Sequence, residues 1–267
     1  MENNNNNKIA LIVSGGLGDN LTYAARLQSL LNKENANKAD IYLINTYIGV
    51  TYMIIEFLER SPIIDKVYLN RLPAYNDGYK KLVDWREDDS PLPYPIQKDY
   101  KFSYNNKDIE WSLNILNGVH NPIIMYPYTL GGSSWSKSEK YVRSPKEDWW
   151  KQLFRDIKKL GGSPIVIGGE EEYIDWDTDD VISAYTDKDT FFHCIPLLLN
   201  SKGYIGIASW PFMVAHYAGN IDTCVIWLYN FMWQHRHLTE NRDKLNLFFK
   251  VPSNEEIINT IEVLSKK

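Results

Sequence analysis

The sequence "KIALIVSGGLGDN", residues 8–20, contains the pattern that decides the fold. Residues 8–15 form a short apolar run that ends in glycine, which is typical of a buried parallel strand. The glycines that follow favour a tight turn, and residues 20–33 carry apolar side chains at helical spacing. This order of strand, glycine turn and helix predicts the opening unit of an α/β protein with a parallel sheet.

The alternation of strands and helices continues through the first half of the sequence and starts again in the second half. The first half is predicted to continue with strands over 39–46 and 64–70, helices over 52–61 and 108–119, and a proline-rich loop over 88–100. The second half is predicted to contain strands over 121–129, 163–169, 203–209 and 222–230 and helices over 144–161, 190–201, 211–219 and 254–267. The pattern therefore predicts two α/β domains, residues 1–120 and 121–267.

For two of these helices, the sequence also predicts the end signals or the packing. The helix over 144–161 has Ser144 as its expected N-cap, with Pro145 at the first helical position and Gly161 as its stop signal. The last helix, 254–267, is amphipathic and could pack back on the first domain. In open α/β sheets, ligands bind outside the carboxyl ends of the strands. Two such domains facing each other would form a ligand-binding cleft.

Composition and charge exclude several classes of protein. The chain has 267 residues and a net charge of −5, which gives no electrostatic signature of nucleic-acid binding. No apolar run approaches the roughly 20 residues of a membrane span. Residues 1–7 are predicted to be a disordered polar lead-in rather than a signal peptide, and Cys194 and Cys224 are predicted to be buried thiols. We expect a cytoplasmic protein.

The glycine-rich turn does not fit the common cofactor motifs. A dinucleotide fingerprint, G-x-G-x-x-G, would need a third glycine where Leu21 stands, and an acid after the second strand is missing. A phosphate-binding P-loop needs Gly-Lys-Ser/Thr, which is absent. The turn of Gly15, Gly16 and Gly18 therefore leaves two interpretations of Asp19. Asp19 either caps the helix, which stabilises the fold by about 1 kcal/mol, or serves as a general base, which typically raises the reaction rate by about 10²–10⁴-fold.

Several stretches, taken in order, resemble the heptosyltransferase family, which transfers heptose from ADP-heptose to the inner core of lipopolysaccharide. The opening turn matches the family's Gly-x-x-Gly-Asp pattern. The other similar stretches are "SPIIDKVYL" (61–69), "RSPKEDWWKQLFRDI" (143–157), "SPIVIGGEEE" (163–172), "IPLLLNSKGYIGIASWPFMVAHYAG" (195–219) and the closing segment from 251. The resemblance implies a compact GT-B glycosyltransferase, in which two Rossmann-like domains face each other across a cleft, with the acceptor on the first domain and the donor on the second.

The resemblance also implies roles for individual residues. Asp19 lies at the position of the family's candidate catalytic base. Residues at donor-binding positions are Thr129 and Ser133 in the phosphate loop, Arg143 or its rival Lys140 as the basic phosphate ligand, and Glu170 as the acid that holds the donor ribose. One turn departs from the family pattern. Where the family has an Asp and a His, this sequence has Ala208 and Met213, and His216 follows three residues after Met213. Ser209, Trp210, Met213 and His216 are the donor-site candidates there, and the donor sugar and base stay open.

Two other segments could contribute to a site. The segment 231–240 concentrates Trp233, His235, Arg236 and His237, which either contact a sugar or phosphate or form an ordinary surface loop. The acids within 170–180 are typical of a solvated face, and we expect no metal site.

Taken together, these features predict an inverting, metal-independent glycosyltransferase of the hexosyl or heptosyl type. It would need no cofactor beyond the nucleotide-diphosphate sugar. The acceptor is open: a glycan, a lipid-linked core, a small molecule or a modified base. Two alternatives are a nucleotide-sugar epimerase, which product analysis without an acceptor would reveal, and a non-catalytic binding protein, which would bind ligand without turnover.

Overall fold

The computed structural model describes residues 7–46, 51–74, 77–86, 101–128, 144–169, 172–186, 192–218, 220–226, 228 and 243–266. The chain forms two compact units, and the division falls between Ser103 and Tyr104. The sequence placed this division near residue 120. The difference arises because the helix over 106–116 packs against a helix of the second unit. Of the predicted lead-in, only Asn7 is among the described residues.

Unit 1 is an α/β unit with a four-stranded sheet. Its elements are β1 (Lys8–Gly15), α1 (Leu17–Glu34), β2 (Lys38–Thr46), α2 (Thr51–Glu59), β3 (Ile64–Leu69) and β4 (Lys81–Asp84). The strand order is β3-β2-β1-β4, and all pairings are parallel. The apolar run of β1 is buried, which is why this strand lies in the interior of the sheet.

Unit 2 contains a six-stranded sheet. Its strands are β5 (Pro122–Tyr126), β6 (Ser163–Gly169), β7 (Ile182–Thr186), β8 (Gly203–Ile207), β9 (Asp222–Ile226) and β10 (Leu245–Phe248). Its helices are α3 (Asn106–Leu116), α4 (Glu147–Lys159), α5 (Cys194–Leu199), α6 (Trp210–Ala218), α7 (Asn254–Ile258) and α8 (Glu262–Ser265).

The strand order of unit 2 is β10-β9-β8-β5-β6-β7, and all pairings are parallel. Numbered within the unit, this is the order 3-2-1-4-5-6 of dinucleotide-binding folds, whose ligands bind where the order reverses. That reversal lies between β5 and β8, and we call the carboxyl ends of these two strands the unit 2 switch point. Unit 1 has the matching order 3-2-1-4, which places its reversal between β1 and β4. Two Rossmann-like parallel sheets are therefore confirmed.

Two helices begin elsewhere than predicted. Helix α1 starts at Leu17 with Gly16 as its N-cap, so Asp19 lies inside the first turn rather than at its boundary. Helix α4 starts at Glu147 with Lys146 as its N-cap. Ser144 does not cap it, because the Ser144 Oγ accepts a hydrogen bond of 3.0 Å from the indole Nε1–H of the buried Trp150.

The C-terminal segment is not one helix over 254–267 but two short ones, α7 and α8. The split follows from a bond to the sheet, because the backbone N–H of Glu262 donates to Oδ2 of Asp222 at 2.6 Å and so starts a new helix. Ile257, Ile261 and Leu264 are buried in the core of unit 2, together with Trp150 and Phe154 of α4. No described helix is long and apolar enough to cross a bilayer.

Candidate functional site

The turn between β1 and α1 holds Asp19 in a fixed place. Gly15 has a φ of +95°, and a Cβ at this position would lie 2.4 Å from Oδ2 of Asp19. Only glycine therefore fits there, for its backbone conformation and for the space that the carboxylate occupies. The backbone N–H of Gly16 donates to the same Oδ2 at 2.8 Å. We call residues Gly15–Asp19 the unit 1 corner.

Polar side chains of α1 make this corner rigid. Nδ2 of Asn20 donates to the Gly16 carbonyl at 2.9 Å, and Oγ1 of Thr22 donates to the Gly18 carbonyl at 3.1 Å. Both side chains are buried, whereas Gly16, Gly18 and Asp19 are half-buried. Asp19 therefore does cap the helix. The same hydrogen bond fixes its carboxylate at the carboxyl end of β1, within reach of solvent.

Strand β4 brings three residues to the same end of the unit 1 sheet. The backbone N–H of Trp85 donates to the Ile12 carbonyl at 2.9 Å, so the chain after β4 runs beside the end of β1. Arg86 makes a bidentate pair with Asp84, at 3.0 Å from Nε to Oδ1 and 2.6 Å from Nη2 to Oδ2. This pair lowers the pKa of the Asp84 carboxyl below its usual value. Sequence reasoning missed these residues, although the stretch "KLVDWR" (81–86) is a short strand pattern ending in an acid, an aromatic residue and a base.

At the unit 2 switch point, helix α6 begins immediately after β8. Ser209 and Trp210 are half-buried there, and the Trp210 ring meets the Tyr126 ring of β5 edge-on at 6.2 Å. Met213 and His216 lie deeper, at 4% and 3% exposure, and the His216 ring stacks on Phe212. Ser209 and Trp210 are thus the candidates of this segment that have surface available to a ligand.

A second acid, Glu172, is held beside the switch point. Its Oε2 accepts the Gly169 N–H at 3.0 Å, and its Oε1 accepts the Tyr126 hydroxyl at 2.7 Å. Its carboxylate therefore lies at the carboxyl end of β6, next to β5. The sequence singled out Glu170 instead, because three consecutive glutamates cannot be told apart without their hydrogen bonds. Glu170 itself lies outside the described residues.

Several other predicted site residues also lie outside the described residues: Thr129, Ser133, Lys140, Arg143, Trp233, His235, Arg236 and His237. The structure brings Gly15, Gly16, Gly18 and Asp19 together at the unit 1 corner, and Ser209 and Trp210 together near Tyr126.

The two cysteines lie outside these two places. Cys194 and Cys224 are free, buried thiols, and burial raises the pKa of each to about 12. Among the residues with described positions, no three His, Cys, Asp or Glu side chains are grouped so that they could hold a metal ion.

Comparison with known proteins gives matches at the level of structure only. No family model matches the chain, and no curated protein matches it. The E. coli ADP-heptose lipopolysaccharide heptosyltransferase II is similar, with a TM-score of 0.65 and 10% identity over 96% of this chain and 98% of that one. A family 9 glycosyl transferase from Veillonella parvula has a TM-score of 0.63 and 12% identity over 97% of each chain.

A third similar structure is the E. coli heptosyltransferase WaaC with ADP, with a TM-score of 0.57 and 8% identity over 92% of this chain and 94% of that one. At these identities the similarity establishes the fold. The resemblance to heptosyltransferases is therefore confirmed at the level of the fold, which the chain shares with them and with a family 9 glycosyl transferase over nearly its whole length.

Proposed function

We propose that this chain is a glycosyltransferase that moves a sugar from a nucleotide-diphosphate sugar to an acceptor hydroxyl. The observation that supports this most is the likeness in fold to heptosyltransferases over 92–96% of the chain, one of them solved with ADP. The expected cleft between the two units is part of the same proposal and stays a prediction.

The donor binds at the unit 2 switch point in this proposal. The N-terminus of α6 and the Ser209 hydroxyl would stabilise the diphosphate, because a helix N-terminus carries a partial positive charge. Glu172 would accept hydrogen bonds from the ribose hydroxyls, because its carboxylate is an acceptor that Gly169 and Tyr126 hold at the carboxyl end of β6. Arg143 or Lys140 would add positive charge, and Glu170 is the alternative ribose ligand.

Asp19 acts as the general base. Its carboxylate takes the proton of the acceptor hydroxyl as the acceptor oxygen attacks the anomeric carbon. The bond between that carbon and the diphosphate oxygen breaks, and the nucleoside diphosphate leaves from the opposite face, so the anomeric configuration inverts. The bond from Gly16 supports this role, because it fixes the carboxylate before the acceptor binds. Stabilisation of the leaving group by α6 and basic side chains makes the reaction metal-independent in this proposal.

Calorimetry and product analysis test the donor site. We expect a nucleoside diphosphate, with ADP as the first probe, to bind the wild-type chain, and Glu172→Gln to weaken that binding about 10-fold or more through the loss of a charged acceptor. Glu255→Gln, which removes an exposed acid from α7, is the matched control and should leave binding unchanged. With the corresponding nucleotide sugar and a panel of acceptors, the anomeric proton couplings of the product should show inversion.

Three results would contradict the proposal. Nucleotide binding without turnover across the donor panel would indicate a binding protein. A changed sugar in the absence of acceptor would indicate an epimerase. A product of retained configuration would overturn the role given to Asp19.

A further inference from the structure

Arg26 is a buried cation without a counter-charge in the described structure. It lies on α1 and is 3% exposed. Its Nη1 reaches only the Thr22 carbonyl, at 3.5 Å, and its Nε–H has no acceptor. In the described ranges no carboxylate pairs with it, whereas Arg60 pairs with Glu56 and Arg86 with Asp84.

This burial is unfavourable unless something else supplies negative charge. Guanidinium groups in proteins keep their charge, whereas buried lysine and histidine side chains can become neutral. An unpaired buried charge loses its hydration and gains little in return. The cost is recovered when an anion with two acceptor oxygens binds the planar fork of the guanidinium.

The position of Arg26 connects it to the unit 1 corner. Arg26 follows Asp19 by seven residues, which is about two helical turns and about 10 Å along the same side of α1. Side chains on a helix lean toward its N-terminus, so the Arg26 side chain is directed toward the end of α1 that carries Asp19. Its contact with the Thr22 carbonyl agrees with that direction. At the N-terminal end of α1, Gly16, Gly18 and Asp19 are half-buried and reach solvent.

We infer that Arg26 binds an anionic group, a carboxylate or a phosphate, of the acceptor and thereby positions the acceptor hydroxyl at Asp19. The role of this anion as part of an acceptor rests on the proposed function, whereas the anion site at Arg26 does not depend on it. Arg26 is a specificity-determining residue in this account: it selects acceptors that carry a negative charge within one sugar or linker length of the reacting hydroxyl.

The experiment observes the Nε–H of Arg26 directly in the ¹⁵N-labelled full-length chain. Inorganic phosphate and acetate are titrated separately, so that the two arms separate a phosphate site from a carboxylate site. We expect one of them to shift the Arg26 Nε–H and Thr22 amide signals saturably. In Arg26→Met, the apparent affinity read from the Thr22 shift should be at least 10-fold weaker. It should be unchanged in Arg60→Met, the control that removes a partly exposed guanidinium paired with Glu56.

Stability and nucleotide binding complete the test. Because Arg26→Met removes an uncompensated buried charge, we expect its urea midpoint to equal or exceed that of the wild type, and its ADP affinity to be unchanged. No saturable shift with either anion, or a large drop in the urea midpoint, would overturn the inference and show Arg26 to be structural. Failure of the wild type to bind any nucleoside diphosphate would overturn the proposed function instead, and the anion site at Arg26 would stand apart from it.

Discussion

Gly15 and Asp19 depend on each other. The carboxylate occupies the space where any other residue at position 15 would place its Cβ, and the adjacent Gly16 N–H holds it there. A general base is effective only when its position is fixed relative to the proton that it removes. The glycine turn is therefore as much a part of the candidate site as the acid.

Gly15→Ala tests this dependence. Gly118 is a matched control, because it also has a positive φ, +74°, but has open space where a Cβ would be. We expect Gly118→Ala to lower the free energy of unfolding by about 1–2 kcal/mol, the cost of a left-handed residue. Gly15→Ala should lose at least about 1 kcal/mol more, because it also breaks the Asp19–Gly16 bond. Equal losses in urea unfolding would contradict the close approach seen here.

The sequence identifies some site residues and conceals others. Asp19 is recognisable because a glycine turn before a helix is a local pattern. Arg26 is not, because arginine within a helix is usually exposed, and its burial depends on what packs around α1. Glu172 could not be separated from Glu170 and Glu171, since only the bonds to Tyr126 and Gly169 distinguish it.

At the level of elements, the sequence predicts the buried strands and misses the marginal ones. The central strands β1, β5 and β8 are apolar and buried, and each was predicted to begin within one residue of its observed start. Strands β4, β7 and β10 were not predicted. Each lies at the edge of its sheet, has only four or five residues and is partly buried, so its run is too short to establish the period of a strand.

Asp84 and Arg86 form an ion pair at the end of β4. The contribution of this pair to the stability of the fold should depend on pH. The hydrogen bonds from Arg86 hold the pKa of the Asp84 carboxyl below its ordinary value. A lowered folded-state pKa contributes stability above the unfolded value and loses it as the pH falls through the folded value. We expect Asp84→Asn to lose up to about 1 kcal/mol between pH 5 and 7, because the pair is partly exposed.

The difference between wild type and Asp84→Asn should shrink as the pH falls below about 4. Urea unfolding at several pH values measures it, and Asp179→Asn, which changes an exposed aspartate, is the control. A difference that grows on acidification would contradict the assigned ion pair.

At the level of the molecule, both units use one strand order. The orders 3-2-1-4 and 3-2-1-4-5-6 place the reversals between β1 and β4 and between β5 and β8. The sequence predicts two units because the strand–helix alternation restarts near residue 122. It places their division near residue 120 rather than after Ser103, because only the packing of α3 against α5 assigns that helix to unit 2.

The most direct test of the central claim is the transfer rate of Asp19→Asn, measured with a nucleotide sugar whose nucleoside diphosphate binds the wild type. Asp65→Asn, an acid at the other end of the unit 1 sheet, is the control. We predict that Asp19→Asn loses about 10²–10⁴-fold in kcat while its nucleotide affinity stays within about twofold of the wild type. Full turnover in Asp19→Asn would contradict the account.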